Sequence, residues 1–396
     1  MKPIPLTQSR RFVRRVVLFS CLFPLMLITL NYQVDPNCRH SFSVPNPTLR
    51  KLANSEDLVL SMPANYDDRA LLKKFIPQAV PPDIVVLGGS RILNAQAEFF
   101  QEPWSKKMLN VGVTAGTMRD YVALWEIIEQ QGFHPKVVFV CVEEQSLNSA
   151  SQNDHYLSIY EYYTAFYAQG ISLRPKLQGL TASLKDLLSF ETTFASLKLL
   201  LASEARNAGG RLMSRTHYDK RLPVRTHSFS MLYPATEEET SSEIAAAQGR
   251  ANGMGEVRVF ERWNRTDTQG YDHLRALLRR ITHAGAKPVL VGMPYHPEAY
   301  RTLRQTPIPY ANMLYFVEAL KKIALSESIF FYDAIETHHN NFVPSDFLDG
   351  VHLKMSQNYH LFKDASRAAN LLIARELDPA GIASDKAMAL TGKNLS

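Results

Sequence analysis

The chain has 396 residues, of which 45% are hydrophobic and 21% are charged. This composition is typical of a globular protein with a large core, and it excludes both a disordered chain and a polytopic membrane protein. The net charge is +6, but the first fifteen residues hold five basic side chains and no acidic one: Lys2, Arg10, Arg11, Arg14 and Arg15. The rest of the chain is close to neutral, so it lacks the basic face that a nucleic-acid-binding domain needs.

This basic tail, residues 1–15, is followed by an uncharged, mostly apolar segment, residues 16–34. Its length is close to the ~20 residues that a helix needs to cross a bilayer. We therefore expect a single transmembrane anchor, and the positive-inside rule places its N-terminus in the cytoplasm. The chain beyond Asp35 would then lie in the periplasm or its extracytoplasmic equivalent, on the outer side of the cytoplasmic (inner) membrane. A cleaved signal peptide is the alternative, but the polar residues 31–36 offer no small-x-small cleavage site.

The pattern of the remaining chain predicts five further segments. Residues 35–80 are punctuated by Pro and Asn, with a helical stretch at 69–75, and are interpreted as a stalk that packs on the domain edge. Alternating strands and helices indicate the two halves of one domain, at 81–148 and 266–378. Between them, residues 149–265 break this alternation and form a mostly helical insertion, and residues 379–396 form a C-terminal tail.

Five apolar runs predict strands at residues 83–87, 107–112, 137–142, 288–293 and 329–332. Helical stripes lie between several of them, at 121–128, 274–281 and 313–325, and Gly132 and Gly285 end the first two. Strands that alternate with helices predict an α/β fold, a flavodoxin-like three-layer sandwich whose five-stranded, mainly parallel sheet is covered on both faces. In such sheets the chemistry gathers at the carboxyl ends of the strands.

A candidate nucleophile and its partners follow the first and the last of these strands. Ser90 stands in Gly88-Gly89-Ser90-Arg91, at a tight strand-to-helix turn, and Asp349-Gly350-Val351-His352 lies about 260 residues later. A serine becomes a useful nucleophile when a histidine takes its proton and a carboxylate fixes the tautomer of that histidine. Without these partners, Ser90 would be an ordinary helix N-cap.

Two further side chains are expected near the same strand ends. Arg91 either binds an anionic polymer or pairs with a nearby acid, and His296 follows the fourth strand, where it would face the cleft. The aromatic residues at 156–167 are read as core packing or as a sugar-binding platform. The three cysteines and twelve histidines show no spacing typical of metal ligands, so we expect neither a metal nor another cofactor.

Three sequence blocks resemble the SGNH/GDSL superfamily of esterases and acyltransferases. These are residues 86–91 around Ser90, residues 109–117 with Asn110 and Gly116, and residues 347–352 with Asp349 and His352. They are most similar to membrane-anchored bacterial members, which serve O-acylation of cell-surface polymers. The resemblance spans residues 83–355 apart from the insertion.

The resemblance implies a role for each matching residue. Ser90 would be the nucleophile, His352 the general base and then acid, and Asp349 the residue that orients the histidine. The backbone N–H groups of Ser90 and Gly116 would form the oxyanion hole, and Asn110 would hold the loop. The chain departs from the family pattern at two places: Gly89 replaces the aspartate of Gly-Asp-Ser, and 143–144 (Glu-Glu) replace the asparagine-containing third block.

The expected function is that of a membrane-anchored acyltransferase or esterase. It would add or remove an O-acyl group, acetyl by expectation, on a cell-envelope polysaccharide through an acyl-serine intermediate. The resemblance also implies a multi-pass membrane O-acyltransferase as partner. The alternative is a catalytically degenerate domain of the same type that binds polysaccharide or assembles an O-acylation complex, which the missing third-block asparagine favours and the intact Ser90, Asp349 and His352 oppose.

Overall fold

A computed structural model gives the structure of the chain. It describes residues 6–34, 44–62, 66–99, 107–148, 155–168, 184–185, 187–201, 210–219, 223–233, 255, 257–335, 342–349 and 351–377. The predicted C-terminal tail at 379–396 and much of the polar part of the insertion lie outside these residues.

The described strands are β1 (Leu58–Ser61), β2 (Ile84–Gly88), β3 (Met108–Gly112), β4 (Val137–Val142), β5 (Arg211–Ser214), β6 (Val224–Arg225), β7 (Met231–Leu232), β8 (Lys287–Gly292) and β9 (Phe330–Asp333). The described helices are α1 (Leu6–Val34), α2 (Asn46–Ala53), α3 (Asp68–Phe75), α4 (Met118–Gln130), α5 (Glu144–Leu147), α6 (Tyr160–Tyr167), α7 (Phe190–Leu201), α8 (Gln269–His283), α9 (Pro297–Arg304), α10 (Pro307–Ser326) and α11 (Met355–Leu377).

The central sheet has the strand order β3-β2-β4-β8-β9, and every neighbouring pair is parallel. Taken in chain order, its strands are arranged 2-1-3-4-5, which is the flavodoxin-like doubly wound order. The five strands predicted from apolar runs are therefore confirmed, and the sheet is wholly parallel. The order reverses between β2 and β4, so loops that leave these two strands diverge and open a crevice at their carboxyl ends.

Two separate cores cover the two faces of this sheet. Val85 and Leu87 of β2 point into a large core that α4, α8 and α10 complete. Ile84 and Val86 point to the opposite face, where α11 packs. Successive side chains of a strand alternate between faces, so a strand buried on both faces must be apolar throughout. This is the reason why the sequence shows continuous apolar runs, and it confirms the α/β class.

The strand-to-helix turn expected at Ser90 does not lead into an α-helix. The structure has two 3₁₀ turns there, Ser90–Ile92 and Ala97–Phe99. The side-chain amide of Asn110 donates to the carbonyl groups of Ile92, Leu93 and Ala95. These carbonyls would accept backbone N–H groups in an α-helix, so the bonds from Asn110 hold the segment in tight turns instead.

A second, smaller sheet joins the predicted stalk to the insertion. Its strand order is β5-β1-β6-β7, and all its pairs are antiparallel. The segment before β2 also buries Leu49, Leu60, Leu72 and Phe75 in the large core, so its described part is integral to the domain. These strands of two to four residues are too short to show the alternation from which strands are predicted.

Helix α1 contains the predicted anchor. Its segment Phe12–Val34 has a mean hydropathy of 1.9 and is long and apolar enough to cross a membrane. Pro24 lies inside this helix, where membrane helices tolerate it. The side of the membrane on which the domain lies stays a prediction.

Candidate active site

Ser90 lies at the carboxyl end of β2, beside the point where the strand order reverses. The turn that carries it is tight, because a Cβ on Gly88 would lie only 2.7 Å from Cγ1 of Ile92. Glycine at this position lets the strand end immediately before the 3₁₀ turn. Ser90 is partly exposed, so its hydroxyl is accessible at the edge of the sheet.

Asp349 and His352 lie together on a short loop between β9 and α11. An antiparallel bridge between Phe347 and Leu353 closes this loop, and the Leu348 N–H donates to the His352 carbonyl at 2.8 Å. Oδ1 of Asp349 accepts the backbone N–H groups of Val351 and His352, at 2.7 and 2.8 Å. The carboxylate therefore orders the backbone of the loop as well as the histidine ring.

The structure brings Ser90, His352 and Asp349 into one hydrogen-bonded chain. His352 Nδ1 lies 2.7 Å from Asp349 Oδ2, and His352 Nε2 lies 2.8 Å from Ser90 Oγ. An ionised carboxylate can only accept, so Nδ1 must carry the proton and Nε2 is left as the acceptor for the serine hydroxyl. This tautomer is the one in which histidine can take a proton from the serine.

Asp349 is held in its ionised form. Burial opposes its ionisation, but the hydrogen bond and charge of His352, together with the two backbone N–H groups, outweigh burial and lower the pKa to about 2. Asp349 thus keeps its negative charge at every pH at which the protein would work. An imidazolium formed on His352 would be stabilised by that charge.

The loop after β3 brings Gly116 against the serine turn. A Cβ on Gly116 would lie 3.2 Å from the Cα of Gly89, so the two loops are in direct contact. Among the described hydrogen bonds, the backbone N–H groups of Ser90 and Gly116 donate to no other group of the chain. Two such donors beside a nucleophile can bind the oxygen of a tetrahedral intermediate.

Buried ion pairs hold this glycine loop in place. Arg69 of α3 pairs with Asp120 at 2.7 Å and donates to the Thr114 carbonyl at 3.0 Å. Asp68 accepts from both the backbone N–H and the hydroxyl of Thr114. Because these groups are buried, they restrict the loop far more than exposed contacts would. Ala115 has φ +49°, an unfavourable left-handed conformation that such contacts must stabilise.

The insertion contributes one member of this network. Arg225, on β6, is almost fully buried and donates to Asp68 and to the hydroxyl of Tyr66. Burial opposes ionisation of Asp68, but the charge of Arg225 and the bonds from Thr114 hold the pKa of its carboxyl below the usual value. The insertion is thus connected to the Gly116 loop through one buried carboxylate.

The side chain of Asn110 holds the segment that follows Ser90. Its amide nitrogen donates to three carbonyl groups of the segment after Ser90, and its Oδ1 accepts the Gly112 N–H at 2.8 Å. All of its polar atoms are therefore used within the fold. These bonds are those of a residue that holds the backbone on both sides of the site, in keeping with the loop-holding role that the resemblance implies for Asn110.

Arg91 is buried beside the serine and pairs with acids, which is one of its two predicted roles. It contacts Glu144 at 3.1 Å and Glu143 at 3.6 Å, and it stacks on the ring of Tyr295. Tyr295 also donates to Glu144 at 2.6 Å. With the guanidinium enclosed in this cluster, little of it is accessible to an anionic polymer.

Glu143 lies where the family pattern leads us to expect the third-block asparagine, at the carboxyl end of β4. A Cβ on Gly89 would lie 2.5 Å from Glu143 Oε1. That oxygen is buried and accepts no hydrogen bond from the described residues. The two departures from the family pattern are therefore neighbours in space: the carboxyl group of Glu143 occupies the room that a side chain at position 89 would need.

His296 does not face the cleft as expected. It is fully buried, its Nδ1 accepts the Glu298 N–H at 3.0 Å, and its ring packs against Phe347. Its described contacts are those of an N-cap for α9, a role that histidine seldom has and that its position after β8 does not reveal.

Two asparagines that the sequence analysis did not consider join the two halves of the site. Asn94 donates to the Leu353 carbonyl at 3.1 Å, and Asn358 donates to the Arg91 carbonyl at 3.1 Å and to Asn94. They tie the serine turn to the loop that carries His352. Only their positions in the sequence could have pointed to this role: Asn94 lies four residues after Ser90, and Asn358 lies six residues after His352.

Among the described residues, no group of three or more His, Cys, Asp or Glu side chains could hold a metal ion. No protein-family model matches the chain, and no curated protein matches it in sequence.

Proposed function

We propose that the protein is a membrane-anchored acyl-transfer enzyme of the SGNH type, with Ser90 as nucleophile, His352 as general base and acid, and Asp349 as the orienting carboxylate. The observation that carries the proposal is the continuous chain from Ser90 Oγ through the His352 ring to Asp349, with both distances below 3 Å. Its place at the reversal point of a parallel sheet is where such folds bind ligands.

The reaction proceeds in two halves. Ser90 Oγ attacks the carbonyl carbon of an ester while its proton passes to His352 Nε2, and the oxyanion is bound by the N–H groups of Ser90 and Gly116. The intermediate collapses, the C–O bond to the leaving group breaks, and His352 returns the proton to the leaving oxygen. A sugar hydroxyl or water then attacks the acyl-Ser90 carbonyl, gives its proton to His352, and the serine is released with that proton.

The acceptor decides between transferase and esterase, because both share the acyl-Ser90 intermediate. The proposed substrate is a cell-envelope polysaccharide, with acetyl as the acyl group and a multi-pass membrane O-acyltransferase as the partner that supplies it. Support comes from the apolar helix α1, which would keep the domain beside such a partner, and from the sequence blocks around Ser90, Asn110 and His352.

A degenerate, non-catalytic domain is the second candidate function. Glu143 favours it, because a carboxyl group stands at the place where the family would supply a third oxyanion donor. Loss of one such donor typically lowers a rate by ~10²–10³, which gives a slow enzyme rather than an inactive one. The undisturbed Ser90–His352–Asp349 geometry favours catalysis.

Labelling of the full chain in detergent by a fluorophosphonate tests the proposal. Wild type should be labelled covalently at Ser90, and Ser90→Ala and His352→Ala should each abolish labelling. In cells, each single variant should abolish polymer acylation, and the double variant should be hardly worse, since residues that act as one unit are non-additive. Asp349→Asn should cost somewhat less, because the base remains while its tautomer and charge support are lost.

The matched control is Ser326→Ala, which removes an exposed hydroxyl at the end of α10, far along the chain from the site. It should be labelled like wild type. All variants should keep the melting temperature of wild type within a few degrees, because the mutated polar groups lie at the rim of the sheet. If Ser90→Ala left acylation intact while removal of the whole protein abolished it, the catalytic proposal would be wrong and the assembly role preferred.

A further inference from the structure

Helix α7 has its apolar side chains outside and its polar side chains inside. Phe190, Phe194, Leu197 and Leu201 are 88, 66, 44 and 85% exposed, whereas Thr192 and Ser196 are buried. With 3.6 residues per turn, the four apolar side chains form a single stripe, and Thr192 and Ser196 lie on the opposite side. A helix on the surface of a water-soluble domain has the reverse arrangement.

The buried polar side of α7 binds the end of α1. Asn31 of α1 is fully buried, and its amide donates to Thr193 Oγ1 at 2.8 Å and to the Leu187 carbonyl at 2.7 Å. Ser196 Oγ in turn donates to Asn31 Oδ1 at 2.8 Å. Two of these hydrogen bonds join α7, and the third joins Leu187 just before it, to the last turn of the one described helix that is long and apolar enough to cross a membrane.

Inside a bilayer, polar groups must find partners within the protein, while apolar side chains are solvated by the lipid. The pair α1–α7 satisfies both conditions: its hydrogen bonds lie between the helices and its large apolar side chains point away. Helix α1 also exposes large apolar side chains, among them Phe23, Leu25 and Met26. Exposure of so many large apolar side chains to water would be unfavourable.

We infer that α7 is a second membrane element, which lies in the interface of the same bilayer that α1 crosses, at the end of α1 nearest the domain. Its twelve residues measure roughly 18 Å, too short for the ~30 Å core. Glu191 and Lys198 are exposed along one flank of the stripe, from which their charges can reach lipid headgroups. The bilayer is the occupant that fits the attachment of α7 to α1, the described helix that could cross it. The inference goes beyond the proposed function and does not depend on any catalytic role of Ser90.

The test uses the full chain reconstituted in vesicles of phosphatidylcholine and phosphatidylglycerol. Cys21 and Cys38 are changed to Ser, and the buried Cys141 is kept. A single cysteine is introduced as Phe194→Cys or as Leu197→Cys and labelled with the polarity-sensitive fluorophore NBD. Lys322→Cys on α10, an exposed position of the globular domain, is the matched control.

The labels at 194 and 197 should show blue-shifted emission and strong quenching by lipids that carry a doxyl group near the headgroup. Aqueous iodide should quench the labels at 194 and 197 at least several-fold less than it quenches the control label at 322. If iodide quenched them as strongly as the control, the stripe would lie in water and the inference would be wrong. Protection from both quenchers would also overturn it, since another protein surface would then cover the stripe. Because two positions are labelled, the test can still be read if one of the two variants fails to fold.

Discussion

At the scale of single residues, the contact between Gly89 and Glu143 links the two positions at which the chain departs from the family pattern. Gly89 has φ −83° and ψ −156°, a conformation open to any residue, so backbone strain does not explain the glycine. Space and charge explain why a glycine stands here, because Glu143 Oε1 would lie 2.5 Å from a Cβ at position 89. An aspartate there would meet both a steric overlap and a second carboxylate.

We therefore predict that Gly89→Asp lowers the free energy of unfolding by ~1–3 kcal/mol, the usual cost of overpacking a dense site. In a Glu143→Asn background the same substitution should cost much less, since the carboxyl group is replaced by a shorter, neutral amide. Thermal and denaturant unfolding of the two single variants and the double variant give the coupling energy. The control is Glu143→Asn alone, and additive effects of the two substitutions would contradict the coupling.

The catalytic candidates could be predicted from the sequence, because their signals are local. Ser90 follows an apolar run and two glycines, and Asp349 and His352 are three residues apart, so each half of the site is visible in a few residues. Arg225, Asn94 and Asn358 could not be found in this way. Their roles come from hydrogen bonds to residues more than 150 positions away, and a buried polar residue has no sequence pattern of its own.

At the scale of elements, the junction of α6 and α8 is predicted to be sensitive to pH. His273 of α8 lies against Tyr163 and Tyr167 of α6, and the Tyr167 hydroxyl is 2.6 Å from its Nδ1. Burial, followed by the positive charge of Arg119 and only partly offset by Asp272, lowers the pKa of His273 to about 4. Of the aromatic residues at 156–167, Tyr156 and Phe166 are buried and Tyr167 is exposed, so core packing and a sugar-binding platform both stay predictions.

A histidine with a lowered pKa binds its proton more tightly in the unfolded chain. Its contribution to stability is therefore fully present above pH ~6.5 and is lost as the pH falls toward 4, by up to ~3 kcal/mol. Denaturant unfolding at several pH values should show this loss in wild type and a smaller one in His273→Gln. His283→Gln, which changes an exposed histidine in the last turn of the same helix, is the control. Parallel losses in wild type and in His273→Gln would exclude His273 as the titrating group.

The elements of the central sheet and the helices of the insertion could be predicted, whereas the short strands of the insertion could not. A strand that is buried on both faces appears in the sequence as an apolar run. A helix that packs on such a sheet appears as an apolar stripe with helical spacing. Two of these stripes end at a glycine, Gly132 or Gly285, and both glycines have a positive φ. β6 and β7 have two residues each. β6 pairs with β1, an edge strand from another part of the chain, and β7 pairs with β6, so a local pattern of two residues cannot predict either strand.

At the scale of the whole molecule, the structure connects the apolar helix α1, the insertion and the candidate site. The insertion holds α1 through Asn31, and it also holds the Gly116 loop through Arg225 and Asp68. If α1 crosses the bilayer, the insertion keeps the domain close to it. The side of the membrane on which the domain then lies decides which substrates can reach Ser90, so orientation is the property of the molecule that most constrains its function.

We predict that the domain lies outside the cytoplasm, because the five basic residues before the apolar segment hold the N-terminus inside. Alkaline phosphatase, which is active only outside the cytoplasm, should be active when fused after Ser396. Replacement of Arg10, Arg11, Arg14 and Arg15 by Glu should reduce that activity severalfold, whereas replacement by Lys, which keeps the charge, should not. Strong fluorescence of a reporter that folds only in the cytoplasm, fused at the same point, would show the opposite orientation. A cell-envelope polysaccharide would then be out of reach of Ser90, and the serine chemistry would need a cytoplasmic substrate.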